Sequence, residues 1–159
     1  LHAFVQRHQL KLIFTCKYGL FRRKHHGSWD GSELEALLRY SRERDYEIAV
    51  FELGNELNAY WAFHGLRSQP GPRNLARDYS TFIKLVRRYY PNARISGPGS
   101  AFWPRLGETI RPFTNITPRF LELMADRLDI VDWHFYPFQC ERSPLRTRAA
   151  RTEHMFDPG

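Results

Sequence analysis

Asn55 and Glu56 close the apolar run Ile48-Ala-Val-Phe-Glu-Leu53, separated from it by Gly54. A carboxylic acid at the end of a strand can protonate the oxygen joining two sugars as that bond breaks. A neighbouring amide can hydrogen-bond the sugar 2-hydroxyl, a contact that strengthens in the transition state. A helix-capping Asn beside a surface Glu is the plainer explanation of the tripeptide. Its place at the end of an apolar strand, within repeating strand–helix units, favours the chemical one. His134 and Tyr136 stand two apart in a second apolar run and therefore share one strand face; the alternative is a core His and a core Tyr with satisfied polar ends. Arg22-Arg-Lys-His-His26 follows the first strand, and Arg142, Arg146, Arg148 and Arg151 follow the last. Either group is suited to attract carboxylates or sulfates, or is simply exposed loop. His25 and His26 are adjacent and lack further ligands, a poor basis for a metal site. No metal and no cofactor is expected. Trp61 and Phe63, just past Glu56, are placed to stack on a sugar ring.

Such residues need a scaffold, and the spacing of apolar positions supplies one. Leu1, Phe4 and Val5 read as the tail of a helix, and Leu10 to Cys16 as a strand. Asp30-Gly-Ser-Glu33 has the form of a capping box, and Leu34, Leu37 and Leu38 continue a helix to about Asp45. Ile48 to Leu53 is the second strand. A loop rich in Gly, Pro and Ser covers residues 65–72. Leu75, Tyr79, Phe82, Val86 and Tyr89 then form one helix face that stops at Pro91. Ala93 to Gly97 is a short third strand closed by Pro98-Gly99. Thr117 caps a helix with Pro118 at its first position, and residues 129–136 form the fourth strand. Strict alternation of strand and helix implies parallel strands. It permits a doubly wound sheet or a (β/α)8 barrel. No Gly-x-Gly-x-x-Gly follows the first strand and no phosphate-loop pattern occurs. Polar residues gather just past strand ends, at Asn55-Glu56, Ser96 and His134 with Tyr136, which is where barrel enzymes keep their chemistry.

Composition sets the outer bounds. The 159 residues fit one domain, and 42% hydrophobic and 15% aromatic residues suffice for a core. The formal charge of +7 suits an anionic polysaccharide, nucleic acid or a membrane surface, or reflects solvated Arg on helix faces. No run approaches the roughly 20 apolar residues that span a bilayer. Cys16 and Cys140 match no zinc or redox spacing. The helix tail at Leu1 and the turn Asp157-Pro158-Gly159 both read as cut ends, so the chain is expected to be a fragment of a single catalytic barrel.

Phe51-Glu-Leu-Gly-Asn-Glu-Leu-Asn58 resembles the acid/base motif of glycoside hydrolase family 79, the heparanase family of clan A. Leu10 to Phe14, Ile95-Ser-Gly-Pro98 and Ile130-Val-Asp-Trp-His-Phe-Tyr136 resemble the strand before it, the strand after it and the Trp-His strand of these enzymes, in the same order. The resemblance implies a partial (β/α)8 barrel, about strands three to six, retention of anomeric configuration and a β-linked glucuronide substrate. It makes Glu56 the general acid/base, with Asn55, His134, Tyr136 and Lys17 around the sugar. It sets His134 and Tyr136 beside the nucleophile, and it implies a secreted or periplasmic setting. The chain departs from the family pattern in four places. Leu57 replaces a Pro, Phe135 replaces the second of two histidines, Lys17 replaces an Asn, and the basic segment is reduced to Arg105 and Arg111.

A retaining enzyme needs two carboxyl groups about 5–5.5 Å apart. Glu52 is four residues from Glu56 on one strand face, roughly 13 Å away, and is read as an interior polar residue needing a partner. Leu106-Gly-Glu108-Thr109 imitates a nucleophile motif but precedes the Trp-His strand, so Glu108 is read as a loop residue and the nucleophile is expected beyond Gly159. The expected partner is an acidic oligo- or polysaccharide, not nucleic acid, with a homodimer through open barrel edges as the expected rescue of a half-barrel. Asn115-Ile-Thr117 has the form of a glycosylation sequon. The rival readings are a β-xylosidase or arabinofuranosidase of the same clan, and a non-catalytic basic module that binds acidic glycan or nucleic acid. The enzyme needs Glu56 in an open pocket beside His134 and Tyr136; the binding module needs Glu56 in a salt bridge and arginines along one groove.

Overall fold

The structure, a computed structural model, describes residues 1–19, 27–102 and 116–135. Its elements alternate as expected: α1 (His2–Arg7), β1 (Ile13–Cys16), α2 (Ser32–Glu43), β2 (Val50–Leu53), α3 (Tyr60–His64), α4 (Pro72–Tyr89), β3 (Arg94–Phe102), α5 (Thr117–Met124) and β4 (Ile130–Phe135). All four strands pair in parallel in the order β1-β2-β3-β4. Sequential parallel strands with helices between them make a segment of a (β/α)8 barrel.

One face of this sheet is dry. The helix α4 presents Leu75, Tyr79, Phe82 and Val86, all fully buried, at the spacing that defines its apolar stripe. They pack with Phe51, Leu53, Ile95, Phe120 and Met124 in one core. Each such side chain contributes roughly 1.5–3 kcal/mol of transfer free energy. Polar ties fix the helix in register with the strands. The Tyr79 hydroxyl accepts from the Leu53 amide at 3.4 Å and lies 3.1 and 3.3 Å from the Leu53 and Ser96 carbonyls. Gly97 leaves room for that phenol, because any Cβ there would strike the ring. Asp78 accepts from the Tyr18 hydroxyl at 2.7 Å and the Trp29 amide at 3.3 Å, binding the segment after β1 to α4.

Local details depart from expectation in instructive ways. Asp30 accepts the Ser32 amide at 3.1 Å, an Asx turn, and α2 starts at Ser32 with Gly31 as its N-cap and no side-chain cap. Residues 60–68, partly assigned to loop, contain α3 and a 3-10 turn. The strand β3 does not close at Pro98-Gly99 but runs on to Phe102. Gly99, at φ 57°, takes up the extra residue of a bulge between Pro98 and Ser100, after which pairing with β4 resumes. Thr117 is not an N-cap: Ile116 holds that position, and the Thr117 hydroxyl bonds Ser100 instead. Trp133 on β4 is 61% exposed. The helix α4 packs on β2, and α5 on β3.

Candidate active site

The turn after β2 is built to present Glu56. Gly54 takes φ 83°, and a Cβ on it would collide with the Leu57 side chain. Glu56 itself sits in the left-handed region, at φ 50° and ψ 44°, before the 3-10 turn Leu57–Ala59. A non-glycine residue there costs of order 1 kcal/mol and persists only where its surroundings fix it, as functional turns do. Here the fixing contacts come from β3. The Glu56 amide donates to the Gly99 carbonyl at 2.9 Å. Asn58, buried, donates to the Ala101 carbonyl at 2.9 Å and accepts the Ala101 amide at 2.8 Å.

Glu56 Oε1 lies 2.8 Å from Nδ1 of His134, 78 residues away along the chain. The two side chains are 17% and 30% exposed, so the pair is held yet open to solvent. Which atom carries the proton depends on the histidine tautomer.

One layer deeper lies a second set of polar groups. Thr15, Glu52 and Ser96 are in register across β1, β2 and β3. Glu52 accepts from the Thr15 hydroxyl at 2.8 Å. Asp132 Oδ1 accepts from the Ser96 hydroxyl at 2.9 Å and the Gly99 amide at 3.4 Å. Burial pushes the Glu52 carboxyl up to about 7, with the neighbouring Asp132 carboxyl adding to the rise, while Thr15 and His134 oppose it. Cys16, buried nearby, has its thiol pushed far up by burial and by the Glu52 charge.

The structure therefore brings Glu56 and His134 together at the strand C-terminal side. Asn55 is exposed at the same turn, and Lys17 is exposed just past β1. Glu52 is the interior polar residue its position suggested. Trp61 is half-buried, its amide held by Gln69, and Phe63 is exposed. Tyr136, residues 22–26, Arg105, Glu108, Arg111, Asn115, Cys140 and the arginines at 142, 146, 148 and 151 lie outside the described residues. A cavity of about 910 Å³ lies at the other end of the sheet, lined by His2, Tyr89 and Arg94. It faces the N-terminal strand ends, where barrel residues serve stability. Sequence reasoning missed Asp132, Gly99, Asn58 and Thr15. Asp132 was within reach, since it shares the strand face of His134 by the period of two.

The family model described as glycosyl hydrolase family 79, N-terminal domain, matches residues 1–104. The chain is 31% identical over 137 residues to inactive heparanase-2 of Homo sapiens, covering 86% of this chain and 22% of that protein. It is equally 31% identical to the heparanase of Bos taurus, over 86% of this chain and 23% of that one. It thus spans less than a quarter of the length of either relative. Among solved structures it resembles a family 86 glycoside hydrolase in complex with neoagarooctaose, with TM-score 0.59 and 18% identity over 89% of this chain and 26% of the other. It also resembles a family 44 xyloglucanase of Paenibacillus polymyxa, with TM-score 0.55 and 13% identity over 86% and 38%. These two likenesses show the barrel fold.

Proposed function

The chain belongs to glycosyl hydrolase family 79, and from that premise we propose that it carries the acid/base half of a retaining hydrolase acting on β-glucuronide linkages, such as those of heparan sulfate-like glycosaminoglycans. The observation that carries the reading is the contact between Glu56 and His134 at the C-terminal ends of β2 and β4. In the first step Glu56 gives its proton to the departing glycosidic oxygen; in the second it takes one from water. His134 fixes the carboxyl in place and holds it toward the sugar. Asn55 at the rim is positioned for the 2-hydroxyl, and Lys17 for the substrate carboxylate. The nucleophile is proposed to lie on a later strand than β4, so the 159 residues alone should turn over no aryl β-glucuronide.

A longer protein that includes the later strands tests the reading. Glu56→Gln should lower its turnover of a poor-leaving-group glucuronide by about 10²–10⁴-fold, and that of an activated aryl glucuronide less, since the latter needs little acid help. Equal losses on both substrates would remove Glu56 from the acid role, and hydrolysis confined to aryl xylosides or arabinofuranosides would move the substrate to another sugar. Glycan binding without turnover is a second reading, favoured by the likeness to inactive heparanase-2. It predicts binding of heparan sulfate that is indifferent to Glu56→Gln.

A further inference from the structure

Glu52 is 7% exposed, and its Oε1 is buried with no hydrogen-bond donor facing it. Its neighbour Asp132 has committed Oδ1 to Ser96 and Gly99. Glu52 Oε1 and Asp132 Oδ2 converge on the space above Gly99, where a Cβ would meet both. Two ionised carboxylates in that arrangement repel and offer each other no donor. One proton between them supplies the missing donor and removes a charge. That accounts for the orphaned oxygen.

Gly99 also reaches the candidate site. Its amide donates to Asp132 and its carbonyl accepts the amide of Glu56, the residue held in the left-handed region. We propose that Glu52 and Asp132 are positioning residues that share one proton and, through the Gly99 bulge, hold the backbone of Glu56 in place. The assignment of Glu56 as acid/base rests on the function proposed above; the proton-sharing pair does not. When the shared proton leaves, two like charges push apart across the bulge, and the seat of Glu56 loosens. Among the described residues, the titratable groups near Glu52 are Asp132 and His134 from β4, with Cys16 from β1 and Tyr79 from α4 behind it on the helix side. Burial holds Cys16 and Tyr79 neutral near neutrality, so among the described residues Asp132 and His134 are the charged partners of Glu52.

Nuclear magnetic resonance on the 159-residue protein tests this without any turnover assay. The side-chain carboxyl carbon of Glu52 should titrate with a midpoint near 7, and the backbone amide of Glu56 should shift with the same midpoint. Asp132→Asn should lower both midpoints together, because it removes the repelling charge. Thr15→Val should raise both, because the ionised carboxyl loses a donor. In Glu52→Gln, which keeps the shape of the protonated acid, the Glu56 amide should lose its step near 7. A Glu52 midpoint in the ordinary carboxyl range overturns the pair. A Glu56 amide step that survives Glu52→Gln overturns the link, since it then has a source other than Glu52. If the variants fold poorly, the wild-type midpoints decide alone: coincidence supports the link and separation ends it. Failure here with Glu56-dependent hydrolysis intact would sink only the pair. Success here without hydrolysis would sink only the proposed function.

Discussion

The two faces of β2 obey different rules. Phe51 and Leu53 point toward α4 and are fully buried among apolar neighbours. Glu52, between them, points the other way, into a layer of Thr15, Ser96, Asp132 and His134. On the first face stability comes from area removed from water and from packing, neither of which titrates. On the second it comes from hydrogen bonds among ionisable groups, where the position of one proton decides whether neighbours attract or repel. A barrel strand is thus asymmetric in kind: the helix side specifies the fold, and the inner side trades stability for chemistry.

The largest expected effect breaks the dry face. Phe82→Ala empties a fully buried site between Trp29 and Tyr79. The expected loss is about 3–5 kcal/mol of unfolding free energy. Denaturant titrations at pH 5 and pH 8 should give the same loss, because no titratable group is created or exposed to a new charge. A loss that changed by more than about 1 kcal/mol between the two pH values would show the faces to be coupled.

The next effect isolates the polar face. The Glu52 carboxyl is raised in the folded protein from 4.5 to about 7. A raised carboxyl keeps its proton longer in the native state than in the unfolded chain. Its contribution is complete below about pH 4.5 and is lost as pH rises through about 7. At one pKa unit per 1.36 kcal/mol, and allowing for solvent screening on the open side of the sheet, wild type should lose about 2 kcal/mol relative to Glu52→Gln across that window. Unfolding curves of both proteins at pH 5 and pH 8 check this. Parallel stability profiles would place Glu52 among ordinary surface carboxylates.

The contrast also explains what could be read from the residues alone. The dry face is written in periodicity: Leu75, Tyr79, Phe82 and Val86 mark α4 without reference to anything else in the chain. Glu56 and His134 were legible because each ends or interrupts an apolar run. The bulge at Gly99 was not, because nothing local to Pro98-Gly99 distinguishes a strand that stops from one that takes up an extra residue and continues. Nor was the Thr117 contact, since a Thr before Pro is a good cap until Ser100 offers a better partner from β3. Asp132 and Thr15 needed the register of four strands before they could be seen as neighbours of Glu52. Local signals specify elements; pairings between distant residues specify the site.

The smallest effect sharpens the comparison at the point where the two faces nearly meet. Tyr79 lies on the helix side, but its hydroxyl reaches the Leu53 and Ser96 backbone at the strand ends, one residue from Glu52. Tyr79→Phe keeps the ring, its edge contacts with Phe82 and Phe120, and the clearance over Gly97. It removes only the hydroxyl. The buried Leu53 amide then loses that acceptor, at a cost of about 1–2 kcal/mol. Burial pushes the Tyr79 phenol well above its ordinary value of 10.0, and the charges of Glu52 and Asp132 add to the rise. A raised phenol stays protonated throughout the pH range in which Glu52 titrates, so the loss should be constant from pH 5 to pH 8. If the loss instead followed the Glu52 midpoint, the hydroxyl would be reporting the charge of the inner layer through the shared backbone of β2. Thermal or denaturant unfolding of Tyr79→Phe, alone and combined with Glu52→Gln, separates the two outcomes: additive losses keep the faces independent, and a coupling above about 0.5 kcal/mol joins them.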